Sequence, residues 1–134
     1  MELSCRLYKL LTGLYWNLPA GRNLSREHRY RKIEPALQYI ETNYSKSITL
    51  EDLAREAGVS PRHLCVLFRE ALHTRPFWYV NAFRINMIKR MLLEDRDRPI
   101  SEIAQDCGYD NICYFNQTFR EITGMSPSQF RKLH

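Results

Sequence analysis

Leu50–Gly58 reads LEDLAREAG, and Ile100–Gly108, fifty residues on, reads ISEIAQDCG. The echo then slips by one residue, so that Leu64, Phe68, Arg69, Glu70 and Pro76 answer Phe115, Phe119, Arg120, Glu121 and Pro127. A repeat that keeps its apolar positions and its glycine, while changing the residues between them, is one supersecondary unit used twice with two different outward faces. Each copy is a short helix with a small residue (Ala54, Ala104), a glycine turn (Gly58, Gly108) and a second helix opening just after a capping residue. Alanine permits close helix contact and glycine a sharp turn, which together describe a helix-turn-helix.

Outward from the repeat, the remaining chain reads as helix and linker. Leu3, Leu7, Leu10, Leu11, Leu14 and Leu18 recur at helical spacing and form one stripe, interrupted by Pro19, Ala20 and Gly21. The polar, mostly basic RNLSREHRYRK (22–32) reads as a linker, and Ile33, Leu37, Ile40 and Tyr44 resume a helix with Pro35 in its first turn. Thr49 caps a helix over about 50–57 with Asp52 as reciprocal partner, and Ser60 with Pro61 opens another to about Leu72. His73 takes the place of a C-terminal glycine, being less averse than most residues to positive φ. From Pro76 to Asp95 the pattern is a long helix, with Val80, Phe83, Met87, Met91 and Leu92 inward and Arg84, Lys89 and Arg90 outward. Ser101 caps the second short helix, Asp110 opens the one after Gly108, and Ser126 with Pro127 starts the last.

The expected fold is therefore all-α and homeodomain-like, with about seven helices and an added N-terminal amphipathic helix. Residues 1–30 form that helix and the basic linker, and 31–134 the domain proper. Two helix-turn-helix subdomains, about 50–72 and about 101–123, are joined by a linker helix at about 76–95. About 20 residues of helix span roughly 30 Å, close to the roughly 34 Å between successive major grooves on one face of B-DNA. Such a helix suits a chain that places the start of each second helix in its own groove.

Composition agrees with an anionic partner. Lys and Arg outnumber Asp and Glu by 20 to 15, for a net charge of +5, and 44% apolar residues suffice for a core. Cys5, Cys65, Cys107 and Cys113 form no CxxC pair and lie in helical patterns, which argues against a zinc site or disulfide framework and for reduced thiols. No apolar run approaches the roughly 20 residues of a membrane span, and the start is too interrupted for a secretory segment. The expectation is a cytoplasmic protein with no membrane partner, no metal and no cofactor. An enzymatic reading, such as a cysteine that accepts alkyl groups, would need a thiolate with activating neighbours; no cluster supplies them, so no enzyme is expected.

The stretch GYDNICYFNQTFREITGMSPSQFR (108–131) resembles the C-terminal signature of the AraC/XylS transcription regulators, in Gly108-Tyr109, Tyr114-Phe115, Phe119-Arg120, Gly124, Ser126-Pro127 and Phe130-Arg131. Leu53-Ala54, Gly58, Ser60-Pro61, Leu64, Leu67-Phe68, Arg84-Ile85 and Lys89 resemble the first half of the same domain. The resemblance covers about Ile33 to Leu133. It implies a seven-helix domain binding one face of promoter DNA for transcription regulation, with RNA polymerase a further partner. In that family the domain commonly follows an effector-sensing and dimerisation domain, whose tail the Leu3–Leu18 stripe resembles. The resemblance implies a homodimer through that stripe or through such a sensor domain, unless the stripe is a short extension packing on the DNA-binding domain. A helical protein-interaction module using the stripe is the alternative function.

By position, the outward residues of the first recognition helix are Arg62, His63, Cys65, Val66 and Arg69. By resemblance, Arg62, Cys65 and Val66 face bases. Arg62 suits guanine, while Val66, where the family often has Arg, offers only apolar surface to a thymine methyl. On the second, Asn111, Ile112, Cys113, Asn116 and Gln117 are outward, and Ile112, Cys113, Asn116 and Gln117 form the base-reading set. The forked amides of Asn116 and Gln117 match adenine, and Gln117 replaces a Lys or Arg frequent in the family, so an A/T-leaning site is expected. Expected phosphate contacts are Ser60, His63 and Asn111 at helix starts, with Arg69, Arg84, Arg120 and Arg131. Arg84 and Arg120 could equally pair with acidic residues of neighbouring helices. Phe68, Phe83, Phe115, Phe119 and Phe130 fall on inward stripes and read as core.

Overall fold

The computed structural model describes residues 20–134, with side chains from Glu27 onward. The Leu3–Leu18 stripe, and the dimer contact expected of it, lie outside the described residues. Seven helices and no strand occur among those described: α1 (Ala20–Asn43), α2 (Leu50–Ala57), α3 (Pro61–Leu72), α4 (Pro76–Glu94), α5 (Ile100–Asp106), α6 (Ile112–Thr123) and α7 (Pro127–Leu133). They fall into two compact units: α1 with Ile48–Tyr79, and Tyr44–Ser47 with Val80–His134. None of these helices is long and apolar enough to cross a membrane.

In the first unit α1 packs on α2 and α3. Ile33, Ala36, Leu37 and Ile40, at helical spacing, are all but fully buried, as are Leu53 and Ala54 of α2 and Leu64, Leu67, Phe68, Ala71 and Leu72 of α3. An ion pair between Arg29 and Glu70, 3.2 Å apart and substantially exposed, adds little to that apolar contact. Helix α1 corrects two expectations. Residues 22–32, read as a linker, are helical, because past Gly21 the stretch contains no breaker and its Arg, Lys and Glu are good helix formers. Their polarity belongs to a helix, exposed at Glu27, His28, Arg31 and Lys32, not to a loop. Pro35 consequently sits in the helix interior, where it lacks the amide that would bond to Arg31. That defect costs about 3 kcal/mol, and the apolar stripe around it offsets the loss, since burial of one large aliphatic side chain contributes about 1.5–3 kcal/mol.

Thr49 and Asp52 form a capping box: the Thr49 hydroxyl accepts from the Asp52 amide (3.1 Å) and the Asp52 carboxylate from the Thr49 amide (3.0 Å). The backbone bond first, and the hydroxyl second, hold the Asp52 carboxyl below its ordinary value. Its stabilising effect is therefore present above the ordinary carboxylate pKa and lost as pH falls through the lowered one. Asp52→Asn is expected to flatten the acid side of the stability–pH curve, as followed by thermal melts over an acid series. An unchanged acid limb would assign the slope to other carboxylates.

Both turns of the repeat use the same hydrogen bonds. Val59 N donates to Ala54 O at 3.0 Å, and Tyr109 N to Ala104 O at 3.0 Å. The one-residue slip is Asp110, an extra residue before α6. Asp110 does not open that helix as expected; Asn111 does, its side chain accepting from the Tyr114 amide. Farther on, His73 (φ 55°) and Gly124 (φ 82°) are equivalent left-handed C-caps, donating to Arg69 O and Arg120 O. The short helices differ at their starts. Ser101 does not cap α5, because it aligns with Glu51; the place of Thr49 is held by Pro99, which makes no side-chain cap bond.

In the second unit Ile85, Ile88 and Leu92 of α4 pack with Ile103, Ala104, Cys107, Tyr109, Phe115, Phe119 and Phe130. Rings run through this core, with centroids 5.3 Å apart for Tyr109–Phe115, 5.9 Å for Phe115–Phe119 and 5.7 Å for Phe119–Phe130. Met87 and Met91, expected inward, are partly buried at its margin. Helix ends here are tied reciprocally. Arg131 donates to Leu92 O and Asp95 O at the end of α4, and Arg96 donates to Arg131 O and His134 O at the end of α7.

Candidate nucleic-acid interface

The start of α3 is built from Ser60, whose hydroxyl accepts from the His63 amide at 3.1 Å, and Pro61, whose missing amide proton is no loss in a first turn. With Leu64, Leu67 and Phe68 buried, the helix turns Arg62, His63, Val66 and Arg69 to solvent and leaves Cys65 half-buried. The start of α6 is built alike. Asn111 Oδ1 accepts from the Tyr114 amide at 3.0 Å, Phe115, Thr118 and Phe119 are buried, and Ile112, Cys113, Tyr114, Asn116, Gln117 and Arg120 are exposed.

Neither first turn carries an acidic side chain. The Arg62 amide of α3 and the Ile112 and Cys113 amides of α6, which no intrahelical carbonyl can reach, lie at the positive ends of their helix dipoles, with the exposed Asp110 carboxylate just ahead of the α6 cap. Such free amides are the electrostatic setting an oligoanion requires. Val66 and Ile112 are each 42% exposed. Large apolar residues on the exposed face of a helix start offer a thymine methyl a contact surface. The Gln117 amide already donates to Glu121 at 3.3 Å, a weak exposed bond that a base edge can replace.

Two of the residues expected at phosphates hold backbone carbonyls of the fold. Arg84 donates from Nε to Tyr44 O and from Nη2 to Lys46 O, both at 2.8 Å, and its guanidinium lies 5.5 Å from the centre of the Tyr109 ring. Burial lowers its pKa, yet a guanidinium remains charged at any pH the fold survives. Arg131 is spent on the carbonyls that end α4. Both are basic residues whose partners are backbone oxygens nearly forty residues away, which no local pattern reveals. Arg120 and Arg69 stay exposed.

Among the described cysteines Cys113 is exposed, Cys65 half-buried and Cys107 buried, all free thiols. Burial pushes the Cys107 thiol up to about 11, which keeps it an inert core group. Among the described residues no group of three or more metal-binding side chains gathers. One exposed residue escaped the sequence reading: Tyr114, counted there only in the family signature, stands beside Ile112 and Cys113 at the start of α6 and is 49% exposed.

The family description "Helix-turn-helix domain" matches residues 53–133. A solved transcriptional regulator from Chromobacterium violaceum, described as containing an AraC-type DNA-binding domain, superposes with a TM-score of 0.70 at 28% identity, covering 79% of this chain and 94% of that one. The chain belongs to the AraC/XylS family of transcription regulators. The AraC-type domain here is the family's all-α, DNA-binding, double helix-turn-helix domain. The melibiose operon regulatory protein of Escherichia coli strain K12 is 31% identical over 112 residues, which make up 84% of this chain but 37% of that protein. The chain thus spans little more than a third of that curated relative. A crystal structure of the DNA-binding domain of AdpA, a global transcriptional factor in complex with a target DNA, matches with a TM-score of 0.65 at 25% identity over 76% of this chain and 90% of that one.

Proposed function

We propose that this AraC-type domain binds promoter DNA sequence-specifically, with α3 and α6 as recognition helices in successive major grooves, and thereby regulates transcription in the cytoplasm. The observation that carries this reading is the pair of capped helix starts with no acidic residue in their first turns, each presenting the expected reading residues outward on a scaffold that the chain uses twice. Arg62, Cys65 and Val66 read bases from α3, and Ile112, Cys113, Asn116 and Gln117 from α6. Phosphates are held by the helix starts at Ser60, His63 and Asn111 and by Arg69 and Arg120; Arg84 and Arg131, already engaged, leave that set. RNA polymerase as a second partner, and a dimer through Leu3–Leu18, complete the proposal.

Selecting bound duplexes from a random pool with the full chain tests binding, site length and the A/T lean together. Affinity for the selected site should fall steeply with salt and exceed that for unrelated duplexes. Salt-independent or sequence-blind binding would remove the reading. Within that site, Arg62→Ala should cost about 1–3 kcal/mol at one base position and little elsewhere. A loss shared by every sequence would recast Arg62 as a phosphate contact.

A further inference from the structure

A directional chain of hydrogen bonds ends at the face of α6. Tyr109, 4% exposed, donates from its hydroxyl to Asn81 Oδ1 at 2.7 Å, and Asn81 Nδ2 donates to the Tyr114 hydroxyl oxygen at 3.0 Å. The direction has a physical reason. A buried hydroxyl must spend its proton inside the protein, and Tyr109 has the Asn81 carbonyl oxygen to receive it. Burial also pushes the Tyr109 hydroxyl well above its ordinary pKa, so the proton stays in place. The amide orientation follows, and Tyr114 becomes an acceptor within the chain. Its own proton is then left for a group outside the protein.

Tyr114 is placed for such a group. It lies in the first turn of α6, its amide capped by Asn111, next to Cys113 and two residues from Ile112. Its ring sits 6.0 Å from that of Tyr109, so the side chain is braced at the ring and at the oxygen. A rigid neutral donor beside the free amides of a helix start matches a phosphate oxygen, an acceptor present at every nucleotide.

We infer that Tyr114 is a DNA-backbone contact, its phenol donating to a phosphate oxygen from a position set by Asn81 and Tyr109. The inference rests on the DNA-binding reading above and adds to it a contact whose strength is independent of base sequence. Asn81 is a positioning residue: it touches no DNA in this arrangement and acts by holding the phenol.

The test uses the full chain, its selected duplex and a series of that duplex in which one phosphate at a time is replaced by a neutral methylphosphonate. Tyr114→Phe removes the hydroxyl from an exposed ring and with it one bond from the partly exposed Asn81 amide, which water can replace, so its melting temperature should fall by no more than a few degrees. Its affinity should fall roughly tenfold, equally for selected and unrelated duplexes, as for loss of a hydrogen bond to a charged group. The dependence on salt should not change, because a neutral hydroxyl releases no counterion. One methylphosphonate position should weaken wild type and leave Tyr114→Phe unaffected. Asn81→Ala, which keeps the hydroxyl but frees it, should lose part of the same contact at the same phosphate. Wild-type affinity in Tyr114→Phe, a loss confined to one base pair, or no distinguishing phosphate would each overturn the assignment. If wild type itself binds no duplex in a salt-dependent way, the DNA-binding reading fails first and takes this contact with it.

Discussion

Gly108→Ala is expected to lower stability by about 3 kcal/mol or more, well beyond the effect of Gly58→Ala at the equivalent place in the first copy. Both glycines are left-handed, with φ of 99° and 69°, so alanine at either meets the backbone penalty of about 1–2 kcal/mol. Their surroundings separate them. A methyl group at Gly58 would meet nothing within 4 Å, whereas at Gly108 it would stand 2.7 Å from Tyr44 O and 3.0 Å from Arg84 Cζ and Nε. The first of these is backbone and cannot swing aside, and moving the second breaks its bonds to Tyr44 and Lys46. Thermal or denaturant unfolding of the two variants measures the difference. Equal losses would show that conformation alone, not close approach, requires glycine at 108.

The second large effect is expected at Arg84. Arg84→Leu removes two charge-assisted hydrogen bonds and leaves the Tyr44 and Lys46 carbonyls without their donor, a loss of about 2–4 kcal/mol. Arg84→Lys should recover only part of it, because an ammonium cannot reproduce the fork that reaches two carbonyls at once. In DNA binding, measured where the variant is still folded, the slope of affinity against salt should equal that of wild type. A variant that melts like wild type but loses about one counterion from that slope would return Arg84 to the phosphate contacts.

Particular residues show what could be read along the chain. Thr49, Ser60 and Ser126 are caps whose partners lie three residues away, so local rules suffice for them. His73 was legible for the same reason: the left-handed position after a helix depends on chain direction and helix end, and the repeat sets it opposite Gly124. Asp110 misled because one inserted residue moves the start of α6 to Asn111, and Ser101 because it stands inside α5 at the place of Glu51, with Pro99 at the cap position. Residues 22–32 misled through composition, since a solvated helix and a linker draw on the same polar side chains. The faces of α3 and α6 followed from their apolar spacing, which left Arg62, Val66, Ile112 and Asn116 outward by elimination.

The sequence by itself determined that the chain is helical, that it uses one helix-turn-helix twice, and which faces of the second helices are free. These depend on contacts within one or two turns of helix, where spacing and capping chemistry decide. Only the tertiary structure decided which basic residues bond to the fold's own carbonyls and how the Tyr114 hydroxyl is held. Arg84 and Arg131 are engaged by carbonyls brought near through folding, and Tyr114 is aimed through Asn81, 33 residues earlier. A charged or hydroxyl side chain has the same local signature whether its partner is its own backbone or a phosphate, so three-dimensional packing must make that choice.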